Sequence, residues 1–389
     1  MLTHNMNWDV HAEYVLKRAE KAASAIWGAL SDGRINLRFR RLLLNSLVKP
    51  VMEHACEIWE PTKTAASKLQ SFYSKLQRKM LHCHKTVHHS ILGAELGCLR
   101  LVSCRAQLRA ETTKRVHQMP ADRLPKVVTG VDWGVNARAG RPKKLWVQRS
   151  EANLVELKID DSVIADTNMK KPAFKKIALQ CAADKDAEFM KAEALTRSSV
   201  AKFLELDNVS SERKMQPYLD SSNWRGAELM FKCRASCLLL NGVTGKWSRK
   251  DLPILPVGNL DEESVKQCRC CAGKPAESLE HFLLECPRFD NVDVASADVG
   301  RLVFLGRLKQ LVGDTVFLRW ENLTPTKRVQ ALLGRACWGK LVVEVHALLQ
   351  EFLVVAWKAR KDFLESSVSV PRSAHIGRVA NGQLAIAHM

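Results

Sequence analysis

Tyrosine is nearly absent, with three residues in 389, and aromatics of all kinds make up 6% of the chain. With strand-like alternation also scarce, the composition points away from an all-β fold and toward a mainly α-helical one. Glycine and proline are few, 19 and 13, and hydrophobic residues reach 46%, which excludes collagen-like repeats and wholesale disorder. No stretch offers the roughly 20 apolar residues a membrane-spanning helix needs. The most apolar segment, Leu341 to Trp357, is broken by Glu344, His346, Gln350 and Glu351 and reads as a buried helix. Acidic side chains are in deficit, 41 against 60 Lys and Arg, so the chain carries +19. Such a field favours polyanions, nucleic acid before membrane surfaces.

The start, Met1 to Asp9, shows no cationic segment followed by an apolar core, so the expected compartment is intracellular and reducing. There, twelve cysteines are thiols or metal ligands rather than disulfides. Eight are scattered, whereas Cys268, Cys270, Cys271 and Cys286 crowd together.

The length, at roughly 150 residues per domain, predicts two or three domains. Charge is concentrated early, since residues 1–120 hold 19 Lys and Arg against 9 Asp and Glu. Helical spacing predicts one helix burying Val15, Ala19, Ala22, Ala23, Ile26 and Leu30. It predicts a second burying Phe39, Leu42, Leu43 and Leu47 and ended by Pro50, and a third burying Leu69, Phe72, Tyr73, Leu76 and Met80. Turn-rich stretches at Thr129 to Pro142 and Asn241 to Asp261 mark breaks. The expected units are therefore a basic helical region 1–128, a linker and helical connector 129–240, a cysteine-rich region 241–290 and a helical C-terminal region 291–389, where Leu332, Leu333, Cys337 and Leu341 resume helical spacing.

Chemistry is most concentrated in Cys268-x2-Cys271-x9-His281-x4-Cys286. Three thiolates and an imidazole fill the tetrahedral shell of a closed structural zinc site, and a full shell leaves no position for catalysis. A short helix from about Ser278 must end near Glu285 to turn Cys286 inward. Cys270 is a spare thiol that spacing does not exclude as a ligand, and unligated thiols in a loop are the alternative. The run His82-Cys83-His84-Lys85-Thr86-Val87-His88-His89 has metal-binding residue types but no second ligand cluster, so a solvated, weakly basic loop is the simpler expectation.

Basic segments are candidate phosphate contacts. Arg34, Arg38 and Arg41 share a helical face, and Lys75, Arg78 and Lys79 ride on the third helix with Lys68 nearby. Arg141, Lys143 and Lys144 surround Pro142 in a partial AT-hook pattern, with Ala139 where a hook places arginine, and a plain basic linker explains them equally. Lys232 and Arg234 complete the set. Charge on a helix face is otherwise mere solvation.

These residues also form a pattern. Trp8-x2-His11-x2-Tyr14-Val15, Arg40-Arg41-Leu42, Val48-x-Pro50-Val51, His54-x2-Glu57-Ile58-Trp59, Glu95-Leu96-Gly97 and the Cys268 to Pro287 knuckle resemble the thumb, connection and C-terminal knuckle of LINE-type, non-LTR retrotransposon reverse transcriptases. The resemblance implies a thumb-like helical region, a zinc knuckle of the CCHC kind, contact with RNA or DNA, and a nuclear or cytoplasmic location. It also sets a contrast. The family's polymerases hold two metal ions on palm aspartates that include an aromatic-x-Asp-Asp turn, and here the only Asp-Asp pair, Asp160-Asp161, follows Lys158-Ile159. Endonuclease and ribonuclease H motifs are likewise not recognised. The expectation is therefore a non-catalytic nucleic-acid-binding chain with structural zinc. A zinc-stapled helical scaffold or an inert transposon relic is the alternative, and His82, Cys83 and His84 are the only candidates for an enzyme.

Overall fold

A computed structural model describes residues 8–130, 146–206, 214–240, 266–273, 275–291, 300–334 and 337–368. Among them the chain is mainly helical, with no strand and one isolated antiparallel bridge, Gln267 to Ala276. No helix of the described residues is long and apolar enough to cross a membrane. The segment with Arg141, Lys143 and Lys144 lies outside them.

Helix α1 (Trp8–Ser31) buries Val15, Ala19, Ala23, Ile26 and Leu30 of the stripe its spacing predicts, together with Ala12, and leaves Ala22 half-buried. Helix α2 (Leu37–Leu43) starts at Asn36, whose side chain accepts from the Arg38 amide, and passes through a π turn (Leu44–Val48) into α3 (Lys49–Glu53). Here the expected face is reversed. Leu37, Arg40, Leu44 and Val48 are buried, whereas Phe39, Leu42 and Leu47 are exposed. Arg40 accounts for the reversal, because its guanidinium is drawn inward to donate to the carbonyls of Leu30 and Met80 at the ends of two other helices. Pro50 does not end a helix but sits in the first turn of α3, where its missing N–H is not needed.

Helix α4 (Lys63–Met80), capped by Thr62, buries Leu69, Tyr73, Leu76 and Met80 against α1, whereas Phe72, expected on the same face, is only half-buried because it lies at the edge of the contact. The two helices run parallel, as their cross-contacts advance together: Thr62 N–H to Asp9, Lys68 to Glu13, then Lys75 and Lys79 to Trp27. Helix α5 (His89–Leu96) stops at Gly97, whose φ of 63° and close approach to Lys214 suit only glycine.

Four further helices build a second core. In α6 (Leu101–His117), α8 (Trp146–Glu156), α9 (Asp161–Ala165) and α10 (Lys171–Ala194), residues such as Cys104, Ala106, Leu154, Ile164, Phe174, Ala178 and Ala182 pack together, with α7 (Leu124–Gly130) leading out of α6. Asp160 and Asp161 merely open α9. Packing thus joins residues on both sides of the 128/129 break. The first core is resumed by α11 (Ser198–Leu206), a 3-10 turn (Pro217–Asp220) and α12 (Trp224–Arg234), then by α13 (Arg301–Val312), α14 (Asp314–Glu321), α15 (Pro325–Leu333) and α16 (Val342–Val368). The helical spacing drawn through Cys337 and Leu341 is interrupted after Leu333 by Gly334, with a 3-10 turn at Gly339–Leu341. Helix α16 buries Val345, Leu349, Phe352, Leu353 and Ala356 against α12, and Gly226 permits the crossing, since a Cβ there would meet Gln350 at 2.5 Å.

Two polar knots tie these helices. Asp186 of α10 accepts from Arg100 and from the Ser103 hydroxyl. Glu95 of α5 accepts from Arg234 at 2.7 Å and from the Tyr218 hydroxyl at 2.8 Å, while Arg234 also donates to the Leu333 carbonyl. Both charges of the second knot are fully buried. Such pairs are tolerated only when each remaining donor and lone pair is met.

Candidate metal centre and basic groove

The cysteine-rich segment folds back on itself through Cys268 N–H to Pro275 C=O and Glu277 N–H to Lys266 C=O, which turns Cys268 and Cys271 toward one point. Opposite them, His281–Glu285 form a π turn in which Cys286 N–H bonds to His281 C=O at 2.8 Å. In an α-helix, residues five apart point about 140° away from each other. An i→i+5 turn nearly closes over five residues and brings His281 and Cys286 to one side. The backbone then becomes extended at Cys286, ahead of Pro287.

The ligand atoms of Cys268, Cys271, His281 and Cys286 lie within 4.8 Å of one another and can hold a metal ion. The Cys268 and Cys286 sulfurs are 3.9 Å apart, and Cys271 Sγ is 3.5 Å from His281 Nε2. A tetrahedron with zinc–sulfur bonds of about 2.3 Å and a zinc–nitrogen bond of about 2.0 Å has edges of about 3.8 and 3.5 Å, close to these two distances. Glu285 lies 3.6 Å from His281 Nδ1, placed to fix the ring so that Nε2 faces the sulfurs. Hydrogen bonds from the Cys270 and Cys286 thiols hold the Cys268 thiol far below the ordinary thiol range, and the same contacts push those two thiols up. Cys270 belongs to a second grouping with Cys268 and Glu277. Glu277, however, is engaged by both Nε and Nη2 of Arg360 at 2.7 and 2.8 Å, in a buried pair. The first grouping is therefore the better cage.

That pair also anchors the cage to α16. Phe282 packs on Phe289 and Trp357, and Arg288 lies over Phe363. The segment is thus part of the main core rather than an appended module.

The histidine run forms no such group among the described residues, nor is it a solvated loop. His82 bridges the Ser31 carbonyl and the Glu228 carboxylate, His84 meets the Thr86 hydroxyl, and His88 caps α5 and reaches Glu193. His89 lies against Phe189, and burial drives it down to about 4. Burial raises the Cys83 thiol well above its usual value, the opposite of an activated nucleophile.

The candidate phosphate contacts divide. Arg234 is 1% exposed and spent on Glu95 and Leu333, so it cannot meet a ligand. Arg78 turns from the stripe to donate twice to the Val87 carbonyl, Arg41 donates to Gly97 C=O, and Lys232 pairs with Glu228 at 2.5 Å. Arg34 is exposed but locked onto Asp32, while Arg38 is exposed with Asp220 at 3.6 Å. Lys75 and Lys79 face outward as expected, with their ammoniums 5.9 and 5.1 Å from the centre of the Trp27 ring. Lys75 also lines a feature sequence reasoning missed, an open groove of about 740 Å³ between α1 and α4, and Lys79 and Trp27 lie just past its lining residues. Lys63, Lys68 and Lys75, the hydroxyls of Thr64, Ser67 and Ser71, and the apolar Leu16 and Phe72 line it, with Glu20 as its one acid. The signal available was the i, i+4, i+7, i+11 series Lys68, Phe72, Lys75, Lys79.

No family model, curated protein or solved structure matches the chain, so the reverse-transcriptase resemblance rests on its sequence motifs.

Proposed function

We propose that this protein is a non-catalytic nucleic-acid-binding protein whose Cys268, Cys271, His281, Cys286 cage takes structural zinc as a CCHC knuckle. The observation that carries the reading is the α1/α4 groove. It sets a stripe of lysines beside hydroxyls that donate to phosphate, on a chain with a net charge of +19. Three thiolates with one imidazole favour zinc over calcium or magnesium, which take oxygen ligands. Four protein ligands leave the ion no open position, so its role is to staple the chain between Lys266 and Phe289 onto α16. The resemblance to LINE-type reverse transcriptases supports the same reading, as a thumb-to-knuckle region without the polymerase palm.

The test is gel-shift binding of purified, zinc-quantified protein to single-stranded RNA, single-stranded DNA and duplex. One mole of zinc per chain and retarded nucleic acid support the reading. Zinc without retardation at low salt refutes nucleic-acid binding and leaves the scaffold reading, for which the exposed Phe39 and Leu42, one turn apart on α2, offer an apolar contact for a protein partner.

A further inference from the structure

We infer that the groove takes nucleic acid as a single strand, with an unpaired base stacked at Trp27 and its phosphates on Lys75 and Lys79. The inference rests on the nucleic-acid reading above and names the ligand of that same site.

The groove is electrostatically uneven along its length. Its α1/α4 walls run parallel, and two acids, both on α1, lie at the end where the helices start. Asp9 bonds to the Thr62 N–H, Glu13 lies 3.8 Å from Lys68, and both acids line a narrower continuation of the groove of about 160 Å³. These acids repel phosphates from that end beyond Lys68, which also lines the main groove. At the other end Lys75 and Lys79 are directed onto the Trp27 ring rather than onto a carboxylate. Trp27 is 37% exposed, so part of its ring is open to a ligand. With two ammoniums lying over its ring, the indole offers a base a flat face once those cations turn to the phosphates on either side of it, and aromatic and cation together are the pairing used in sequence-tolerant recognition of single strands.

The walls sharpen the choice between strand and duplex. A duplex offers phosphates and keeps its base faces stacked, so the apolar Leu16 and Phe72 would add nothing to its binding. A single strand exposes base faces that can lie on Phe72 and Trp27 while Thr64, Ser67 and Ser71 reach sugar and phosphate oxygens. The groove also lies between two packed helices, which admits an extended strand more readily than a duplex.

The experiment is fluorescence anisotropy with a 5′-labelled oligouridine and with a labelled RNA duplex at matched salt, using wild-type protein, Trp27→Ala, Trp27→Phe and a Lys68→Gln/Lys75→Gln double variant. The inference predicts that wild type prefers the single strand by about tenfold or more, and that Trp27→Ala weakens that binding by about five- to 150-fold, the range of one lost base stack. Trp27→Ala should leave the salt slope unchanged, and Trp27→Phe should restore most of the affinity because it restores a π face. Equal affinity for strand and duplex, or a Trp27→Ala protein within twofold of wild type while the lysine variant is weakened, overturns the single-strand inference and keeps the groove. A lysine variant that binds both probes like wild type overturns the groove reading itself. Circular dichroism of each variant separates loss of fold from loss of contact.

Discussion

Removing the proposed zinc is the perturbation with the largest structural reach. Cys268, His281 and Cys286 are buried, and the segment that carries them is fastened to α16 by the Arg360–Glu277 pair and the Phe282–Trp357 contact. Structural zinc in isolated fingers binds with about 10–16 kcal/mol, whereas a whole domain is stable by only about 5–15 kcal/mol. Part of that binding energy is consumed in ordering the cage. A lower bound comes from mass action, since free zinc at 100 times its dissociation constant stabilises by about 2.7 kcal/mol. At about 2–4 °C per kcal/mol for a unit of 150–250 residues, chelation should lower the melting temperature by at least about 5 °C. The assay is differential scanning calorimetry with and without a strong chelator, joined to hydrogen exchange of α16. Faster exchange along Val342–Trp357 is expected on chelation, together with the thermal shift. An unchanged melting temperature and unchanged exchange, in protein shown to have lost its metal, would refute the reasoning that the cage holds the C-terminal helix in place.

Three further outcomes follow from the buried charges and the cage. Arg234→Met leaves Glu95 buried without its cation and should destabilise by about 3–5 kcal/mol; the double variant with Glu95→Gln should recover part of that loss in urea unfolding, and strict additivity would show that the two groups do not interact. His89 is held below its unfolded value by burial, so the unfolded chain binds more protons between about pH 6.5 and about 4. Its contribution is complete above that window and declines as pH falls through it; His89→Gln should flatten this part of the stability-versus-pH curve, and an unchanged slope would contradict the assignment. Metal affinity should fall on acidification because thiols and imidazole must shed protons to ligate, and competition titration with a zinc chelator at pH 7.5 and 6.0 reads it directly.

How much of this was legible in the sequence depends on how local the cause was. The α1 stripe and the α4 face followed from 3.6-residue spacing, because nothing outside each helix competed with its apolar face. The ligand set Cys268, Cys271, His281 and Cys286 is brought together as its spacing predicts, although the π turn that aligns His281 with Cys286 left only the five-residue interval as a clue. The α2 face failed because a charged residue went inside. Arg40 is buried to serve carbonyl groups of Leu30 and Met80, 10 and 40 residues away in the chain, which no local pattern records. Arg234 misled for the same reason, since its partner Glu95 lies 139 positions upstream. The groove escaped notice because it belongs to two helices at once, and Trp27, the aromatic reached by its Lys75, lies on α1 while the lysines lie on α4. Spacing within one helix reveals a stripe; only packing reveals what the stripe faces.

The central claim is that the α1/α4 groove binds the phosphate backbone. It is tested most directly by the salt dependence of affinity for oligouridine, measured from about 50 to 200 mM monovalent salt for wild type and for Lys68→Gln/Lys75→Gln/Lys79→Gln. For single strands each phosphate contact contributes about 0.7 to the slope of log affinity against log salt, so the triple variant should flatten the slope by up to about two units. A triple variant that remains folded and keeps both the wild-type slope and the wild-type affinity would contradict the claim and move the interface elsewhere on the protein.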